Sequence, residues 1–393
     1  MNYLRLIVLL IVSAVGVGVR AQSDTVISLV TCYPGTEIYE LEGHSAIRVR
    51  FPGTDVAASW GMFNFNAPNF VYRFVKGETD YMVGLVPWNY FEQSYRHSNR
   101  RVEEQVLKLT SEQKRRAIAL IEENLRPENR VYRYNYVKDN CATRPLAIIE
   151  GAVGDSLHLG PTLFDTWSRP TSFRDVMRYY HRNYSWYQFG IDIALGSGID
   201  YALPSREYAF APVLLEEQMA GATLNGQKIA QPAQVIVDLP KDAAVLGPTP
   251  WYLSPMFVCW LVFFILLAFT IRDIRRKKVT KAVDAVYFGI MGLAGLLLTF
   301  LIFVSVHEAT SPNWLYFWLN PFCLIPCIFI WLKRCKNVVM SYQICNFAVV
   351  LVLLIAWWWI PQSANAAFLP LVLGDLLRSG SYIVVTFKQL KQR

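Results

Sequence analysis

The chain has 393 residues, 53% of them hydrophobic, and a formal net charge of +8. That length accommodates two or three domains. Residues 22–250 hold 23 Lys+Arg against 26 Asp+Glu, a balance of −3, so the basic excess lies in the leader and the C-terminal third, which argues against nucleic acid as a partner.

Residues 1–21 carry an early Arg5, an apolar run and small residues. Val19 and Ala21 form an A-x-A-like cleavage site before Gln22. This pattern predicts a secretory signal peptide and an exported mature chain.

The segment 22–160 reads as a mixed α and β domain. "TVISLVTCY" (25–33) is rich in β-formers and ends at a "PGT" turn. "HSAIRVRF" (44–51) alternates and closes on a second "PGT". Residues 102–124 read as a short strand followed by an amphipathic helix, with Thr110 or Ser111 as cap and Glu112 in the first turn. "NRVYRYNYV" (129–137) alternates again. "ATRPLAIIEGAVG" then reads as a helix ending at Gly151 or Gly154, with Pro145 in its first turn. Cys141 therefore falls at a strand–helix junction.

Residues 161–250 read as an extension and linker. Helices are predicted at 174–184 and across 190–222, and a hairpin over 225–240. From 251 to 393 the chain reads as a membrane domain. Uncharged runs at 251–271, 285–306, 312–332 and 337–360 each approach the about 20 residues of a spanning helix. A fifth, about 367–387, is interrupted by Asp375 and Arg378. The basic stretches "RDIRRKKVTK", "KRCK" and "KQLKQR" follow the first, third and fifth spans. The positive-inside rule then makes those ends cytoplasmic, so residues 22–250 lie on the far side of the membrane and the C-terminus is cytoplasmic.

Five of the seven cysteines lie in or beside the spans. Only Cys32 and Cys141 are in the exported part. They are able to form one disulfide in an oxidising compartment. Cys323 and Cys327, four apart, read as small residues at a helix contact, and nothing has zinc-ligand spacing. No cofactor is implied.

A nucleophilic cysteine is activated by a helix N-terminus and a neighbouring histidine. Of His44, His97, His158 and His181, only His44 opens a predicted buried strand, after Gly43. A strand-borne His with a helix-borne Cys is the arrangement of papain-like thiol enzymes. Here His44 comes first, which fits a circular permutation. Two plainer readings stand beside it: a disulfide to Cys32, and inert packing of a buried thiol.

The stretches "SLVTCYPGTEIYELEGHSAIRVR" and "PENRVYRYNYVKDNCATR" resemble the N-terminal periplasmic domain of the Lnb family of bacterial lipoprotein N-acyltransferases, and the five-span tail resembles that family's membrane domain. The shared motifs are T-C-x-P-G-x-E-x-Y, G-H-S-A-I-R-V and N-R-x-Y-x-Y-N-x-x-x-D-N-C-A-T-R. The resemblance implies a permuted papain-like fold, related to that of lecithin:retinol acyltransferase, with Cys141 as nucleophile and His44 as its base. Two places depart from the family pattern: Glu42, where an aromatic is expected, and "SWGMFNF" (59–65), in place of Asn-Tyr-Gly-x-Phe.

The implied reaction moves an acyl chain from a membrane phospholipid to Cys141, then to the α-amine of a lipidated lipoprotein. Backbone N–H groups at the helix start would hold the oxyanion. Asn140 either adds a donor or orients His44, or else caps the helix with Asp139. Arg144 meets a lipid phosphate or pairs with a carboxylate. Asp375 and Arg378 line a head-group entry or form an i,i+3 ion pair. His307, Glu308 and Asn320 are weaker polar candidates in the membrane part. The competing functions are a membrane-anchored papain-like hydrolase of the cell envelope and a non-catalytic lipoprotein-binding adaptor.

Overall fold

The computed structural model describes residues 25–154 and 157–391. The predicted signal peptide lies outside the described residues. The chain forms two compact units. One comprises the residues up to Phe70 with Thr79–Thr171 and Leu203–Val245; the other comprises Val71–Glu78, Ser172–Ala202 and Leu246–Arg393.

The first unit is built on an antiparallel sheet. Its strands are β1 (Val26–Cys32), β2 (His44–Phe51), β3 (Thr54–Met62), β4 (Asp80–Pro87), β5 (Val102–Val106) and β6 (Val131–Arg133). A small second sheet holds β7 (Leu157–His158), β8 (Thr223–Leu224) and β9 (Gln227–Lys228). β10 (Gln234–Val237) returns to the edge of the large sheet, whose order is β10-β5-β1-β2-β3-β4-β6.

β1 and β2 are buried on both faces, which is why β1 reads as a near-continuous apolar run. On one face Ile27, Leu29, Ile47, Ala58 and Trp60 pack with Ala117 and Ile121 of the Ser111–Leu125 helix and with Leu146 and Ile149 of the Thr143–Val153 helix. On the other, Val30, Cys32, Ala46 and Ala57 pack with Trp88 and Phe91 of the Trp88–His97 helix. Arg48, also buried in β2, is neutralised by Asp55 at 2.6 Å and Glu104 at 2.8 Å. Its guanidinium lies 3.7 Å from the centre of the Trp88 ring.

The helix at 111–125 is capped by Thr110 and carries Glu112 in its first turn, as the pattern predicts, and Gln113 closes the capping box. The helix after Cys141 ends on Gly154, whose φ of +82° favours glycine. The strand predicted over 129–137 is cut to β6, because Asn135 Oδ1 accepts from the N–H groups of Val137 and Lys138 and turns the chain. The hairpin falls earlier than predicted. β8 and β9 flank Asn225-Gly226, both with positive φ, as a tight two-residue turn requires. The 190–222 stretch is helix only at Ser185–Ala194 and Pro212–Gly221, with two short 3-10 turns between.

Among the described residues of the second unit, four helices are long and apolar enough to cross a membrane: Pro255–Arg276, Lys281–Phe303, Lys333–Ala356 and Ala366–Gln389. Five such helices are expected from hydropathy. The third expected span is instead broken into 3-10 turns at Trp314–Phe317 and Pro321–Cys323 and a helix of only six residues, Leu324–Phe329. Asn313 and Asn320 cap these pieces and Pro321 cannot continue the preceding turn. Irregular backbone is tolerated at membrane depth only when buried in protein. Leu315, Trp318, Leu319 and Cys323 are indeed buried. Gly295 makes room, since a Cβ there would meet the Asn320 carbonyl carbon at 2.3 Å.

Asp375 and Arg378 are both completely buried, and they do not form the expected i,i+3 pair. Arg378 reaches Asp284 at 2.7 Å and Asp273 at 2.8 Å on two other helices, and Thr270 at 3.1 Å. Asp375 accepts from Asn346 Nδ2 at 2.5 Å and from Ser379 Oγ at 3.3 Å. On a helix, positions three apart face different neighbours once several helices pack around them, and a buried charge takes the partner that desolvates least.

Candidate active site

Cys141 lies two residues before the Thr143–Val153 helix and is half-buried. Its position is set by a compact loop. Asn135 and Asp139 exchange backbone hydrogen bonds at 3.1 and 3.0 Å, turning the chain just before the thiol. Asn140 then locks the junction. Its Oδ1 accepts from the N–H groups of Ala142 at 2.8 Å and Thr143 at 3.0 Å, and its Nδ2 donates to the carbonyls of Tyr136 and Phe210, each at 2.8 Å. A side-chain amide has two donors and one acceptor oxygen, so Asn140 is fully occupied. These are the bonds of the capping alternative; Asn140 makes none to His44. They also occupy the two helix-start N–H groups expected to hold an oxyanion.

Arg144 pairs bidentately with Asp139, at 2.5 and 2.7 Å, and its guanidinium covers the Tyr132 ring at 3.7 Å. It braces the same loop from the far side. The acidic residue two before Cys141 thus serves as a counter-ion to the basic residue three after it.

The thiol faces β2 and β3. The β2–β3 register stops at Ala46↔Ser59, so Ser45 lies just beyond the last pair. β3 departs there through Gly61, at φ +85°, with a register shift against β4 between Ser59 and Met62. The vacated slot receives Cys141: a Cβ on Gly61 would sit 3.2 Å from the Cys141 Cβ. The Ser45 backbone N–H and the Tyr134 hydroxyl are directed at the sulfur. Burial nevertheless dominates and pushes the Cys141 thiol up to about 11, from an ordinary value near 9; the Ser45 N–H and the Tyr134 hydroxyl oppose it, and the Glu42 carboxylate adds to the rise.

His44 begins β2 directly opposite Cys32 of β1. Gly43 permits this approach, with φ +91° and no Cβ to strike the Cys32 carbonyl oxygen, which would lie at 2.5 Å. The His44 Nε2 is hydrogen-bonded to Ser59 Oγ at 2.9 Å. Burial, reinforced by the Arg100 charge, lowers its pKa to about 3, so the ring is neutral at pH 7. Among the described residues no hydrogen bond joins His44 to Cys141; the closest link is Ser45, whose N–H faces the sulfur and whose chain neighbour is His44. Catalytic hydrogen bonds often tighten only when substrate is bound.

Cys32 and Cys141 are both free thiols, so the disulfide alternative does not describe this structure. Cys32 is buried and its thiol is pushed up to about 12 by that burial.

Three residues of the site were not singled out for a role by pattern. Ser59 sits in one of the stretches that depart from the family motif, and its hydroxyl is the His44 partner. Tyr134 and Tyr136 belong to the alternating tyrosines; the first faces the thiol and the second donates to buried Glu42 at 2.6 Å. The alternation was the available signal, but the loop after β6 sends each ring to a different task.

The polar candidates of the membrane part belong to the other compact unit. There His307 Nε2 hydrogen-bonds the Phe74 carbonyl at 2.9 Å, and Asn320 Oδ1 accepts from the Phe322 N–H at 3.1 Å.

Residues 19–179 match the family model described as the Lnb N-terminal periplasmic domain, and residues 248–390 match the one described as the Lnb transmembrane domain. No curated protein and no solved structure matches the chain.

Proposed function

Since the chain belongs to the Lnb family, we propose that it is an apolipoprotein N-acyltransferase with Cys141 as nucleophile and His44 as base. The observation that carries this reading is the setting of Cys141: a half-buried thiol in a β-sheet slot, met by a tyrosine hydroxyl and by the backbone N–H of Ser45, the residue that follows His44. A purely structural cysteine needs no such donors. The order His44 on β2, then Cys141 before a helix, supports a circularly permuted papain-like arrangement.

The thiol and the imidazole both rest uncharged, so the proton moves during attack. His44, its Nε2 held by Ser59 Oγ, takes the thiol proton on its other ring nitrogen as sulfur bonds to an ester carbonyl of a phospholipid. The Ser45 N–H and Tyr134 hydroxyl, rather than the capped helix-start amides, receive the oxyanion. When the carbonyl re-forms, the ester C–O bond breaks and the imidazolium protonates the departing lysophospholipid oxygen, leaving an acyl thioester. The α-amine of a lipidated lipoprotein cysteine then attacks. His44 accepts the amine proton and returns it to the leaving sulfur, giving an amide and the resting thiol.

A membrane domain suits substrates whose acyl chains lie in a bilayer. The basic segments at 275–281, 333–336 and the C-terminus would share the cytoplasmic side. The broken stretch 314–329 then completes a fifth crossing between Phe303 and Lys333, with 22–250 periplasmic. Mass spectrometry of a lipoprotein N-terminus from cells carrying Cys141→Ser or His44→Ala tests the reading. Retained N-acylation would refute it, whereas a hydroxylamine-labile acyl group on the Cys141 peptide is the expected intermediate. Free muropeptides as the product would mark a hydrolase instead.

A further inference from the structure

The rings beside Cys141 continue outward in an unbroken series. Tyr134, whose hydroxyl faces the thiol, stacks on Tyr81 with centroids 4.2 Å apart. Tyr81 meets Phe63 at 5.1 Å. Phe63 meets Phe65 at 4.5 Å, and both contact Phe70 and Tyr39 at 5.2 to 5.8 Å. Exposure rises outward from Tyr81: Tyr81 is 8% exposed, whereas Tyr39 and Phe65 are 52% and 56% exposed.

Core aromatics explain Tyr81 and Tyr134. They do not explain Phe65 and Tyr39, which leave most of their rings in water while contacting one another. Contiguous exposed apolar surface of this kind marks a binding site for something apolar. What distinguishes this patch is where it leads: its inner end is the ring whose hydroxyl faces the nucleophile. The Gly61 bulge that opens the slot for Cys141 is also the bend that carries Phe63 and Phe65 away from the sheet. A molecule lying on the rings with one end at the sulfur would be a long hydrocarbon bearing a terminal carbonyl.

We propose that the ring series Tyr134–Tyr81–Phe63–Phe65, flanked by Tyr39 and Phe70, is the track on which the acyl chain of the donor lies during attack by Cys141, and that it sets chain-length preference. This rests on the acyl-transfer reading above. Rings suit the task because they cover methylenes without fixing their conformation, and Phe63, Phe65 and Phe70 present no polar group that a hydrocarbon would leave unpaired. Each methylene covered adds about three- to fourfold to the affinity for a donor taken from water.

The test uses the full-length protein in detergent with p-nitrophenyl butyrate and p-nitrophenyl decanoate as donors. The readout is the ratio of kcat/KM for decanoate over butyrate, with acylation of Cys141 followed by mass spectrometry. Phe65→Asn is expected to lower that ratio by about tenfold. The conservative Phe65→Leu restores most of it. A merely structural effect of the substitution lowers both donors together and leaves the ratio unchanged; that result overturns the track. Wild-type protein that acquires no acyl group on Cys141 from either donor overturns the acyl-transfer reading itself. Wild-type protein acylated by both, with a ratio insensitive to Phe65→Asn, refutes the track alone.

Discussion

His44 Nε2 and Ser59 Oγ lie 2.9 Å apart, joining the first residue of β2 to the strand beside it. The contact follows from register. Ser59 pairs with Ala46, so it lies diagonally across from His44 on the same face of the sheet. The hydroxyl therefore holds the ring in one orientation. Ser59→Ala is expected to slow thioester formation on Cys141 by about ten- to a hundredfold, as loss of a base's positioning partner does. Ser59→Thr keeps the hydroxyl and restores most of the rate. Stopped-flow acylation of the two variants checks this; equal rates in wild type and Ser59→Ala would remove Ser59 from the mechanism.

The raised Cys141 thiol makes a prediction of its own. At a value of about 11 instead of 9, the thiolate fraction at pH 8 is about a hundredfold below that of an ordinary thiol. Alkylation of Cys141 by iodoacetamide in the absence of substrate is therefore slow at pH 8, and it climbs as pH rises through 11. The stability linkage has a matching sign. A raised folded value contributes stability that is present below about 9 and lost as pH rises through about 11. His44 acts at the opposite end: its folded value of about 3 lies below the ordinary 6.5, so its contribution is whole above 6.5 and lost as pH falls through 3. Fast alkylation at pH 7 would contradict the burial of the thiol.

Gly61 is the point where β3 yields to the nucleophile. Gly61→Ala must adopt φ +85° and bring a methyl to 3.2 Å from the Cys141 Cβ. The backbone term alone costs about 1–2 kcal/mol, and the contact displaces the sulfur from its donors. The expected result is a melting temperature lowered by a few degrees, with acylation lost out of proportion to that destabilisation. Gly53, also at positive φ but with nothing within 4 Å, is the control: Gly53→Ala pays the backbone cost without touching the site.

Much of the first unit is legible in the sequence because its signals are local. β-branched runs bounded by "PGT" give β1 and β2; Thr110 and Gly154 mark helix ends; and the junction at Cys141 is readable from Asp139 to Pro145. The site's relationships are less so. Ser59 meets His44 only through inter-strand register, which a linear pattern does not encode. Asn140 reads equally as cap or catalytic donor, and the deciding fact is the Phe210 carbonyl, 70 residues away, that takes one of its two donors. Residues 172–202 join the second unit, and nothing in their local composition reports it. Hydropathy finds the apolar stretch at 312–332 but is blind to the asparagine caps and prolines that break it.

Cys32 offers a direct check on the redox state of the exported part. Both of its cysteines there are free, so a reductant should leave the melting temperature of the protein unchanged. Cys32→Ala removes a completely buried sulfur from the packing against Val30, Ala46 and Val102, at a cost of about 1–2 kcal/mol. It should fold and retain acylation of Cys141. A thiol titration of denatured, unreduced protein that finds these two cysteines oxidised would contradict the structure.

The last prediction concerns Arg378, which is completely buried and holds together three helices of the membrane unit. Its head group donates to Asp284 on Lys281–Phe303 and to Asp273 and Thr270 on Pro255–Arg276. Arg272 adds a second guanidinium, 3.9 Å from Asp273 and donating to the Thr280 hydroxyl, and the Thr280 hydroxyl and N–H are both bonded to Asp273. Removing Arg378 leaves Asp284 desolvated without its counter-charge and Asp273 with only the more distant Arg272, a loss of about 3–5 kcal/mol for a broken buried pair. Arg378→Met is thus expected to aggregate or to lose its monodisperse elution in detergent. Lys at the same position supplies the charge but not the forked donors that reach two helices at once, so Arg378→Lys should recover little. The triple change Asp273→Asn, Asp284→Asn, Arg378→Met removes the imbalance and should recover more thermal stability in detergent than Arg378→Lys does. If Arg378→Met alone proves as stable as wild type, the cluster is not what holds these helices together.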